Sequence, residues 1–243
     1  MRLSEESIKN VLDLLKKKLP LVYCSCGIER LSDLSRGIIY YNGKVKSKLD
    51  KDNDEFKNIN TLLIFLDEII YKRNLAFSLI NRYNINILKG TKEEINSLIA
   101  LEDNEKNKNF NYRNFAKTND CILIIKDKKY YITDGYSEFY IKNKNKYFND
   151  EEYIDNIYTG VLASSIGICN NKSEIIQSVL ISTLSFYIAQ EASIELFKYQ
   201  FEDDIDKNDI NLVNEYLLEE ISKINVDKIK SYGDVEYYFK RNR

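Results

Sequence analysis

Histidine is absent from all 243 residues, and that absence excludes more chemistry than any single motif adds. It removes the commonest neutral-pH general base and the commonest zinc ligand together, so Ser-His-Asp and Cys-His catalysis are closed to this chain. Tryptophan is also missing, and one proline leaves no Pro-rich linker to mark a domain boundary. Cys24, Cys26, Cys121 and Cys169 form no Cys-x-x-Cys arrangement, so reduced structural thiols and no metal site are expected. A formal charge of −2 supplies no basic field to draw nucleic acid. No apolar run reaches membrane-spanning length, and the amphipathic N-terminus lacks a signal-peptide core. A cytoplasmic protein with no membrane partner is the expectation.

What is present describes an ordinary globular protein, with 44% hydrophobic and 30% charged residues. The length suffices to bury a sizeable core, and without a repeat or linker a single domain spanning 1–243 is expected. Ser4 can cap a helix whose apolar positions Ile8, Val11, Leu12, Leu15 and Leu19 fall at helical spacing, with Pro20 just beyond. Leu21 to Cys26 reads as a buried strand, Gly27 as a turn, Leu31 to Tyr41 as a helix, and Lys44 to Asn60 as a loop. Thr61 to Leu66 is a continuous apolar run of strand length, followed by helical periodicity over 68–83 and a short strand at Asn86-Ile87-Leu88.

Thr91 with Glu94 three residues on predicts a capping box. The polar stretch 102–111 separates that helix from a buried run at Cys121 to Ile125. Lys129 to Thr133 and Ser137 to Ile141 around Asp134-Gly135 predict a β-hairpin. The alternating βα order favours a mainly parallel sheet with helices on both faces. After Gly160 everything is expected to be helical: residues 158–169, 173–200 from Ser173 and Glu174, and about 209–224. Glu202 to Glu220 carries eight acids and one lysine, which reads as a solvated helix face. Lys126 to Phe148 interleaves six lysines with aromatics, a pattern that suits single-stranded nucleic acid but describes an exposed hairpin equally well. No nucleic-acid partner is expected.

The stretch Asn156 to Gly167 is where a charged, Tyr-rich region gives way to small residues opening an apolar helix. A Thr159-Gly160 turn at a helix N-terminus offers backbone N–H groups and partial positive charge to an anion, although such pairs also serve as plain caps.

Taken in order, several segments resemble hydroxyethylthiazole kinase, the ribokinase-like enzyme of thiamine salvage. Pro20-Leu21-Val22-Tyr23-Cys24 is similar to that family's "PLVHCITN" strand, and Ile87-Leu88-Lys89-Gly90-Thr91 with Glu93-Glu94-Ile95 to its "VIRGNxSEI" segment. Tyr130-Tyr131-Ile132-Thr133-Asp134-Gly135 resembles its "DYVTDG" hairpin, and Thr159-Gly160-Val161-Leu162-Ala163-Ser164 its "GTGCxLGA" anion-hole helix. The resemblance implies a ribokinase-like α/β fold with a helical C-terminal third. It implies ATP and Mg²⁺ as cofactors, with Thr159, Gly160, Lys89 and Asp127 on the nucleotide side and Tyr23, Cys24 and Gly27 on the thiazole side. It also implies a homo-trimer, or a mixed assembly with an active homologue.

The departures fall on the working positions. Tyr158 stands where the family has glycine, and its ring is expected to crowd a backbone that must approach phosphate. Val161 stands at the catalytic cysteine and accepts no proton; losing a general base typically costs ~10²–10⁴-fold in rate. Lys126-Asp127-Lys128 replaces the family's "TGE", Tyr23 a histidine and Gly27 an asparagine, while the "DPVGxGA" segment has no counterpart, as though one βα unit were deleted. Asp155 and Asp127 are the substitute bases to consider. The expectation is a kinase-like protein without kinase activity that binds a small molecule or a partner subunit. The alternative is an active ATP-dependent phosphotransferase that phosphorylates hydroxyethylthiazole or a similar alcohol with a rearranged site.

Overall fold

Ile122, Leu123, Ile124 and Ile125 are at most 2% exposed, the burial expected of a strand covered on both faces. They belong to a computed structural model that describes residues 4–13, 38–41, 61–65, 87–102, 111–127, 129–142, 157–158, 160–162, 165–166, 169, 171–201, 210–231 and 235–239. The chain divides into two compact units, one built from Gly27–Lys142 and Val235–Arg243, the other from Met1–Cys26 and Asn143–Asp234.

The first unit is a sheet of β1 (Ile38–Tyr41), β2 (Thr61–Phe65), β3 (Ile87–Thr91), β4 (Ile122–Lys126), β5 (Lys129–Thr133), β6 (Ser137–Lys142) and β7 (Val235–Phe239), lying side by side in that order. Strands β1 to β4 pair in parallel, with Leu63 beside Ile87 and Leu88 beside Leu123. From β4 to β7 the pairing is antiparallel. The sheet is therefore half parallel and half antiparallel among the described residues, not mainly parallel. Helix α2 (Lys92–Glu102) packs on β3 and β4, and α3 (Tyr112–Thr118) on β4 and β5.

Local signals account for most of these elements. At α2 the capping box forms as the sequence predicts: Thr91 N donates to Glu94 Oε2 at 2.7 Å, and Glu94 N to Thr91 Oγ1 at 3.3 Å. Helix α3, which the sequence reading treats as no element, starts at Asn111, whose Oδ1 accepts from Asn114 N at 3.0 Å. It ends at Asp120, whose φ of 49° is the left-handed conformation that closes a helix.

Two elements differ in type from the sequence reading. Ile38-Ile39-Tyr40-Tyr41 is β1, not the end of a helix, because its β-branched and aromatic side chains suit a pleated surface and β2 supplies the ladder. Val235–Phe239 is β7, so the chain is not helical throughout after Gly160; the β6 edge supplies a partner distant in sequence. The expected strand at Leu21 to Cys26, the loop at Lys44 to Asn60 and the helix over 68–83 lie outside the described residues.

In the second unit, α1 (residues 5–13) is capped by Ser4, whose Oγ accepts from Ser7 N at 3.0 Å, and it buries Ile8, Val11 and Leu12. Residues 157–158, 160–162 and 165–166 are helical, so helical residues stand on both sides of Gly160, where the sequence reading expects a turn opening a helix. Helix α4 (Lys172–Phe201) is capped by Asn171, two residues before the expected Ser173, through Glu174 N to Asn171 Oδ1 at 3.0 Å. Ile175, Val179, Ser182, Phe186, Ala189 and Ser193 are all buried, as their common face predicts. Helices α5 (Ile210–Ser222) and α6 (Val226–Ser231) pack against α4. The acidic helix face is not wholly solvated, since Glu220 is buried to 8% exposure and pairs with Lys223 at 2.8 Å.

Candidate functional site

Ligands of open α/β sheets gather at the carboxyl ends of parallel strands; of the expected site residues in the sheet unit, Asp127 lies just past the end of β4, whereas Lys89 lies in the middle of β3. Lys89 sits on β3 in register with Phe65 and Ile124 and is 2% exposed. A lysine charge so deeply buried must be paired, and Lys89 is engaged within the protein. One residue past β4, Asp127 Oδ2 accepts from Lys92 Nζ at 3.0 Å across the strand ends. That hydrogen bond pushes the Lys92 ammonium above its ordinary value and commits the Asp127 carboxylate to an ion pair. Glu94, in the capping box, sets its own carboxylate against the α2 N-terminus, so the chain itself supplies an anion there.

Behind this edge a side-chain network fixes α3 to the hairpin. Tyr131 OH donates to Glu138 Oε1 at 2.8 Å, Arg113 Nη1 lies 3.6 Å from Glu138 Oε2, and Arg113 Nη2 donates to the Tyr136 carbonyl at 3.1 Å. Burial, reinforced by Glu138, pushes the Tyr131 phenol far up, so it remains a donor. The hairpin turn closes on itself: Asp134 Oδ1 accepts from Tyr136 N at 2.9 Å and Ser137 N at 2.7 Å. Gly135 has φ 86°, and a Cβ there would stand 2.7 Å from the Lys117 backbone nitrogen. The glycine is therefore required by both conformation and space.

In the helical unit, the side chain of Tyr158 is spent on α4. Its ring is 1% exposed and 5.0 Å from the Phe186 ring. Its hydroxyl lies 2.7 Å from Thr183 Oγ1, which itself donates to the Val179 carbonyl at 2.6 Å, so the tyrosine is the donor. The ring and its hydroxyl are thus both engaged by α4.

Val161 is 0% exposed, and Gly160 between these two buried side chains is half-buried. Further along, Ser165 Oγ donates to the Leu162 carbonyl at 2.9 Å and sits 2.6 Å from Ser182 Oγ. Ser178 lies 3.2 Å from Cys169 Sγ, and burial pushes that thiol up, away from a reactive thiolate. Cys121 is a buried thiol.

Of the residues the sequence singles out, Gly160 and Val161 fall in the helical unit, and Lys89 and Asp127 in the sheet unit. Thr159, Tyr23, Cys24, Gly27 and Asp155 lie outside the described residues. The sequence does not reveal Lys92 as the partner of Asp127, nor Thr183 and Phe186 as the partners of Tyr158. Only the first had a local signal, a lysine opening a helix beside a strand end. Among the described residues no group of three His, Cys, Asp or Glu side chains could hold a metal ion.

No protein-family profile matches the chain, and no curated protein matches it in sequence. Its fold is similar to that of a hydroxyethylthiazole kinase. The solved kinase from Pyrococcus horikoshii superposes with a TM-score of 0.57 over 73% of this chain, at 15% identity. The chain spans 65% of the length of that structure. A hypothetical protein from Streptococcus mutans matches with a TM-score of 0.38 and 14% identity, over 69% of this chain and 68% of its own. The first likeness establishes a distant structural relationship and a kinase-like fold. Among the described residues no helix is long and apolar enough to cross a membrane.

Proposed function

We propose that this chain is a hydroxyethylthiazole-kinase-like protein related to thiamine salvage that binds a phosphate-bearing small molecule, or serves as a partner subunit, without transferring phosphate. One observation carries the reading: Val161, at the position of the family's catalytic cysteine, is a fully buried hydrocarbon, while the neighbouring Gly160 stays half-exposed. Burial of Tyr158 against α4 supports retained binding, since its ring is engaged by Phe186 and Thr183. The substitute bases add little: Asp127 is held by Lys92.

ATP with Mg²⁺ is the cofactor the reading implies. The missing Cβ at Gly160 suits close approach of a phosphate, and Thr159 and Gly160 would hold it. Mg²⁺ needs only one or two protein carboxylates beside the phosphates of a nucleotide. Bound Mg²⁺ would neutralise phosphate charge; the chain's own residues would orient the nucleotide.

The remaining parts of the reading go together. The chain is one ribokinase-like domain lacking one βα unit, since the two units interleave along the sequence and neither is a contiguous module. It is cytoplasmic and works as a homo-trimer or in a mixed assembly with an active homologue. The test is incubation of purified protein with ATP, Mg²⁺ and hydroxyethylthiazole. No phosphorylated thiazole is expected, whereas ATP·Mg²⁺ at ~100 times its dissociation constant should stabilise the protein by ~2.7 kcal/mol. Turnover would replace this reading with the active phosphotransferase.

A further inference from the structure

We draw no further inference here: the strongest candidate, the apolar stripe of Ile188, Ala192, Leu196 and Tyr199 along the C-terminal half of α4, ends in a tyrosine that is 85% exposed, and nothing in the structure shows what covers it.

Discussion

Two glycines, Gly135 and Gly160, sit in segments that resemble the same family, and they have fared differently. At Thr133-Asp134-Gly135 the side chains of Thr133 and Asp134 both bond the backbone of their own turn. Thr133 Oγ1 accepts from Gly135 N at 3.1 Å and donates to the Ser137 carbonyl at 2.7 Å, while the turn lies against Lys117. Around Gly160 the nearby side chains of Tyr158 and Val161 are both buried. The first segment is tied by hydrogen bonds within its own turn, the second by side chains buried in the helical unit.

That contrast can be broken in steps. The largest effect is expected at Tyr158→Ala, which removes a fully buried aromatic ring and a hydrogen bond from the α4 contact and should cost about 3–5 kcal/mol in denaturant unfolding. Tyr158→Phe isolates the hydroxyl and should cost only about 0.5–1.5 kcal/mol, since Thr183 keeps its bond to Val179. If the two variants lose equal stability, the ring packing has been overrated. Gly135→Ala should cost about 2–3 kcal/mol through positive φ and the close Lys117 backbone, read as a fall in Tm. A silent Gly135→Ala would remove the hairpin from the comparison. Glu94→Ala opens the capping box and should cost about 0.5–2 kcal/mol, with the loss smaller in Glu94→Gln, which retains the acceptor.

The smallest effect concerns the surface pair of Lys230 and Glu5, 2.6 Å apart and joining α6 to α1. Lys230 holds the Glu5 carboxyl below its ordinary range, so its contribution is present at neutral pH and is lost as pH falls through the lowered value. Lys230→Ala should therefore change Tm slightly at neutral pH and low salt, and not at all in acid or high salt.

Legibility in the sequence followed the range of the interactions. The capping box at Thr91 and Glu94 and the Asp134-Gly135 hairpin depend on neighbours within a few residues, the apolar runs of β2 and β4 carry their signal in their own composition, and each forms where the sequence puts it. Strand β1 is misread because Ile38 to Tyr41 follows a stretch with helical spacing, and only β2, some twenty residues on, makes it a strand. Strand β7 depends on β6, almost a hundred residues earlier, and five residues between charged ends give no periodicity to read. The site behaves likewise. That Val161 accepts no proton is visible from one residue, but the direction of the Tyr158 ring is decided by Phe186 and Thr183, a helix away.

An NMR titration of the protein with ATP·Mg²⁺ and hydroxyethylthiazole tests binding without catalysis most directly, reading the Gly160 amide through nitrogen-15 and the nucleotide through phosphorus-31. The account predicts a saturable shift at Gly160, and an ATP spectrum unchanged over hours. Formation of ADP with a phosphorylated thiazole, or a Gly160 resonance indifferent to nucleotide and phosphate alike, would contradict it.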